Sequence, residues 1–165
     1  MGLDVIAFEH ATPVRGHLDQ TECDEHYVAD ADGFPQSFRG LEDGRCYEFS
    51  GREFSFRAGS YSGYNEWRDA LAQRALGVSA VVVWAAVDSY ATRPFFELVN
   101  FADNQGSIGP LAAADLAADF RGLRAKVTSQ PLDDPDEEAW FRARYDSFAH
   151  AFDLAARGNG LVVFG

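Results

Sequence analysis

Hydrophobic positions along the chain follow two periods, and the helical one is the easier to read. Beyond Asp134-Pro135-Asp136-Glu137, the residues Phe141, Tyr145, Phe148, Phe152 and Ala155 fall on one helical face. An acidic N-cap followed by proline at the first helical position starts such a helix, and Gly158-Asn159-Gly160 ends it. A second stripe, Leu116, Phe120, Leu123 and Val127, begins at Pro110 with Gly109 as its cap. Asp115 and Asp119 sit early on it and Arg121, Arg124 and Lys126 late, as the helix dipole favours. A third helix carries Tyr64, Trp67, Leu71 and Ala75 and stops at Gly77, with Gly63 as cap and Glu66 at the third helical position.

The two-residue period marks strands. Leu3 to Glu9 alternates, and "LVVF" forms a short terminal strand. Arg45 to Arg57, "RCYEFSGREFSFR", reads as a hairpin turning at Ser50-Gly51-Arg52-Glu53, a two-residue type II′ loop that sets Phe49 opposite Phe54 and Tyr47 opposite Phe56. "AVVVWAAV", Ala80 to Val87, is apolar throughout, and its β-branched content favours a buried strand over a short helix. "FFELVNF" after Pro94 reads as one more strand. The polar segment from the first strand to about Gly44 reads as long loops with a short helix. These elements predict a single α+β domain over 1–165: a mainly antiparallel sheet of about five strands with about three helices packed against it.

Composition permits a large core. Hydrophobic residues make up 47% of the 165, with fourteen phenylalanines, and a chain of this length buries roughly two-thirds of its unfolded surface. No apolar run approaches the ~20 residues of a membrane helix. The first ten residues lack a basic stretch ahead of an apolar one, so a cytoplasmic location is expected and membrane association is not. The formal charge is −12, a field that disfavours direct nucleic-acid binding. Acids gather at Asp19, Glu22, Asp24, Glu25, Asp30 and Asp32, and again at Asp133, Asp134, Asp136, Glu137 and Glu138. Solvated loops and a helix start account for both groups; a docking face for a basic partner is the functional alternative. Cys23 and Cys46, in a cytosolic chain, are expected as free thiols. His10, His17, Cys23 and His26 lie close together, but their spacing matches no structural zinc pattern, so no metal and no cofactor are expected.

Candidate chemistry falls in two loops. "SYSGYNEWR" supplies Ser60, Tyr61, Tyr64 and Arg68 at a helix start that could receive a ligand, although capping explains them too. "PFFELVNFADNQGSIGP" supplies Glu97, Asn100 and Asp103. A buried Glu97 beside Asp103 could be a general base with a raised pKa, but a structural acceptor for Arg68, a tyrosine or backbone N–H groups is the favoured reading. Gly106 suits a turn requiring positive φ. The loop is no calcium site, because Asp103 and Asn104 are adjacent and the last loop position is Ala114. It lacks the lysine of a phosphate loop, and Gly59-Ser60-Tyr61-Ser62-Gly63 misplaces serine for a nucleophile elbow.

The segments "GLDV", "FRAGSYSGYNEWR", "PFFELVNFADNQGSIGP" with "AADLAADF", and the closing "FDLAA" resemble an uncharacterised family of small bacterial and phage proteins. The resemblance spans most of the chain and is sharpest at Phe56 to Arg68 and Pro94 to Phe120. It implies no activity, cofactor or catalytic residue; it implies that the two loops belong to one design and favours a host-directed binding or inhibitory role. The leading expectation is a non-enzymatic, acidic binding protein engaging a protein partner or a small ligand. The alternative is a small hydrolase or transferase using Glu97 and Asp103 with Tyr61, Tyr64 or Arg68.

Overall fold

The computed structural model describes residues 2–16, 19–24, 26–30 and 33–165. Three long helices form where the helical stripes lie. α1 (Tyr61–Leu76) is capped by Ser60, whose Oγ accepts from the Gly63 N–H at 3.0 Å. The cap therefore lies three residues before Gly63, because a hydroxyl satisfies a free N–H and glycine has no side chain to do so. Glu66 accordingly sits deeper in the helix than the third position. α5 (Pro110–Gly122) begins after Gly109, and α7 (Pro135–Gly158) begins at Asp134, whose carboxylate accepts from the Asp136 N–H. A Cβ on Gly109 would stand 2.3 Å from the Arg39 carbonyl oxygen, so close backbone approach demands glycine there. The stripe after Pro110 is broken at Leu123, and α6 (Arg124–Thr128) carries its last member, Val127, into the core.

The sheet has five strands, all paired antiparallel, in the order β2-β3-β1-β5-β4. β1 (Leu3–Pro13) outlasts the expected strand. β2 (His26–Val28) arises within the polar segment, and β5 (Leu161–Phe164) is the terminal strand. The expected hairpin is absent: β3 (Arg45–Gly59) is one continuous strand running the length of β1. Gly51 does have positive φ, 80°, but it serves a bulge opposite Glu9, where the register shifts between Phe8 and His10. A Cβ there would meet His10 and Glu9. A glycine in an alternating run marks a bulge as readily as a turn, and the long β1 supplies the partner that makes it a bulge. Phe49 and Tyr47 consequently face Ala11 and Pro13, while Phe54 and Phe56 face Ala7 and Val5.

The two apolar segments expected as strands are also helical. "AVVVWAAV" forms α2 (Ala80–Ala85) and starts α3 (Val87–Tyr90); "FFELVNF" forms α4 (Phe96–Val99). Distant side chains hold their first N–H groups: Asp69 accepts from Ala80 and Asp119 from Phe95, both at 2.7 Å. Phe95 itself takes a left-handed φ of 61°. The sheet edge falls instead to β4 (Gly106–Ile108), with Gly106 at positive φ as expected.

One main core lies between the sheet and the helices. Phe148 stacks on Trp67 and meets Phe56 edge-on, and Phe120 packs on Phe95, Tyr145 and Phe152. A smaller cluster gathers Ala11, Val28, Phe38, Tyr47 and Leu161, with Phe8 stacked on Phe49. Cys23 and Cys46 form a disulfide, Cα to Cα 5.7 Å, rather than free thiols. β2 pairs with β3 close by, Tyr27 standing opposite Cys46, and brings the two cysteines within bonding reach.

Candidate functional site

The two loops do meet, but not with all their residues. The Arg68 side chain, almost fully buried, lies between the rings of Tyr64 (5.1 Å) and Trp84 (4.8 Å). Flat guanidinium against aromatic faces is a favourable arrangement where water is excluded. Its nitrogens donate to the Phe101 carbonyl and to Asn65 Oδ1, and Asn65 donates in turn to Asp103 Oδ2 at 2.6 Å. Arg68, Trp84, Phe101, Asn65 and Asp103 line a cleft of about 380 Å³ with Phe34 and Asn100, while Tyr64 lies buried behind it. The Arg68 Nε and the Tyr64 hydroxyl have no partner among the described residues, and burial raises the Tyr64 phenol above its ordinary value.

Ser60 belongs to the helix cap, and Tyr61 is half-buried against the core. Neither lines the Arg68 cleft. Glu97 also turns elsewhere. Because its segment is helical, it points into a second cleft of about 410 Å³ with Arg39, Arg93, Asp115 and Asp119. Arg39 Nη2 donates to Glu97 Oε1 and Asp115 Oδ2, each at 2.6 Å. Burial still pushes the Glu97 carboxyl above its usual range, since one partly exposed guanidinium shared by two acids returns less than lost water takes. Asp119 is raised for the same reason, against the Phe95 N–H that it accepts. Glu97 and Asp103 thus do not share one cleft, and Glu97's partner is Arg39 rather than Arg68.

The histidines also separate. His10 donates to the Gly158 carbonyl oxygen at 2.7 Å, and His26, lowered by burial, contacts Ser107 Oγ at 3.1 Å. His17 lies outside the described residues, as do Glu25 and Asp32 of the first acidic group. Among the described residues no three His, Cys, Asp or Glu side chains are grouped to hold a metal. Several of the clustered acids do structural work: Asp19 closes its own turn onto Thr21 and Glu22, Asp30 accepts from the Phe34 N–H, and Glu138 accepts from Arg74, Arg142 and the Leu132 N–H.

One exposed apolar surface is not marked by the periodicity of the sequence. On α2, Ala80 and Val83 face the core, while Val81, Val82 and Trp84 face outward with 62%, 43% and 40% exposure; Val87 on α3 follows at 38%. Reading the run as a buried strand hid this face. The signal that could have found it was the lack of any polar position in a run too short to be buried all round as a helix. Trp84 is not loose: its Nε1 donates to the Val99 carbonyl at 2.8 Å, so the ring is held with one part in the Arg68 cleft and another in solvent.

The architecture is that of an α+β domain with an apolar corner beside a polar cleft. Comparison with known proteins adds no relative: no family model matches the chain, and no curated protein or solved structure is similar to it.

Proposed function

We propose that the protein is a non-enzymatic binding module that docks a basic protein partner on the α2–α3 corner. The observation that carries this reading is the exposed row Val81, Val82, Trp84 and Val87, continuous with the cleft of Arg68, Asn100 and Asp103. Exposed apolar groups gathered at one corner around a hydrogen-bonded aromatic have the composition of an interface core. The cleft beside them offers a carboxylate: Asp103 uses only Oδ2 on Asn65, and Oδ1 has no partner among the described residues. A lysine or arginine flanked by apolar residues fits both halves of this surface. The net charge of −12 favours a basic partner by long-range attraction and opposes pairing with a second copy.

Cross-linking followed by peptide mapping tests the proposal. Partners captured from host lysate should be basic, should link to residues near 81–87 and 103, and should be released as salt rises. A monomer–dimer equilibrium that Val82→Glu abolishes, or cross-links that avoid this corner, would contradict it.

A further inference from the structure

The molecule is strongly acidic, yet one cleft collects positive charge. It measures about 510 Å³ and is lined by Arg121, Arg124, His150, Asp153 and Arg157 over a floor that includes Phe120. The arginines come from three elements: the last turn of α5, the first residue of α6 and the last turn of α7. Helix dipoles explain a cation at the ends of α5 and α7, but not Arg124, which opens its helix. Asp153 accepts from Arg121 on one oxygen, at 3.2 Å, and from Arg157 on the other, so it holds both guanidiniums at the cleft; Asp146 holds Arg124 at 2.5 Å. Each arginine engages a carboxylate through a single nitrogen, which leaves most of every N–H fork free. The three side chains are 72%, 53% and 59% exposed, so these donors are reachable.

From this geometry we infer that the cleft is a binding site for a small molecule carrying a phosphate group. Paired guanidinium forks fixed by a carboxylate match the oxygens of a phosphate, and the volume suits a ligand of nucleotide size or less. The acidic surroundings select for small size. A polyanion lying along the surface would cross the negative field, whereas a compact anion in the cleft stays within a Debye length of ~8 Å of the arginines.

Pyrophosphate is the probe, titrated against the intact protein at constant ionic strength and followed through the arginine side-chain N–H resonances. Binding at about 1 mM or tighter, with shifts confined to Arg121, Arg124 and Arg157, is the expected result. Arg124→Ala with Arg157→Ala should weaken it at least about tenfold with the melting temperature held, while Arg15→Ala, an exposed arginine outside the cleft lining, should leave it unchanged. No binding beyond that of chloride, equal binding by the double variant, or tighter binding of a single-stranded oligonucleotide than of pyrophosphate would overturn the inference.

Discussion

α7 and α2 are both rich in apolar residues, and they use them in opposite ways. Over 24 residues α7 turns Phe141, Tyr145, Phe148, Phe152 and Ala155 inward and leaves its other faces polar. α2, six residues long and apolar throughout, turns Ala80 and Val83 inward and leaves its other four residues exposed. The difference separates apolar surface used in folding from apolar surface left in solvent. The apolar surface of α7 is consumed by the core of its own chain, whereas much of that of α2 stays exposed to solvent.

Truncations should divide the two helices sharply. Phe148→Ala should cost about 3–5 kcal/mol, because the ring touches Trp67, Phe56 and Phe152 and leaves a cavity none of them can fill. Chemical denaturation measures this. A loss below that of a surface substitution would mean the α7 stripe is not the core.

The polar anchor of α7 should come next. Glu138→Gln leaves Arg74, 5% exposed and lying over the Phe141 ring, without its ion partner. Breaking such a buried pair costs about 3 kcal/mol. Arg74, the Leu132 N–H and Arg142 hold the Glu138 carboxyl at about 2. Its folded pKa is below the unfolded one, so its contribution is complete above the ordinary 4.5 and is lost as pH falls toward about 2. Glu97 behaves oppositely: its folded pKa is raised, so its ionisation erodes stability as pH climbs through the window above 4.5. Melts across acidic pH should therefore show the Glu138 loss disappear in Glu138→Gln, while Glu97→Gln removes the opposing slope.

The Cys23–Cys46 bond closes a separation of 23 residues around β2, far from both helices in the chain. Cys46→Ala should cost about 3 kcal/mol by loop-closure entropy. A free-thiol assay on the unfolded, unreduced protein checks the premise; finding two thiols there would return the pair to the state expected from sequence.

This contrast also explains what could be read in advance. α7 was legible because stripe, cap and terminating glycine agree within one segment; the start of α5 was legible from Gly109-Pro110 and the end of α1 from Gly77. β1 and β5 were legible from alternation. α2 and α4 were not, because the carboxylates that start them belong to Asp69 and Asp119, on other helices. The bulge at Gly51 needed knowledge of how far β1 extends. Of the candidate site, Arg68, Asn100 and Asp103 do line one cleft, since Arg68 reaches from α1 to the Phe101 carbonyl. Glu97 left that group once its segment became helical, and Trp84 joined it for the same reason.

The smallest expected change in stability carries the largest change in function. Val82→Glu and Trp84→Ala lie on the exposed face of α2, where substitutions alter stability by about 0.5 kcal/mol for Val82 and somewhat more for Trp84, whose indole also covers Arg68.

The direct measurement is paired: melting temperature and retention of the captured basic partner, both read on Val81→Glu/Val82→Glu against the unaltered protein. An unchanged melting temperature with lost retention is the expected result. Retention equal to that of the unaltered protein, with folding intact, would show that the α2–α3 corner is not the docking surface.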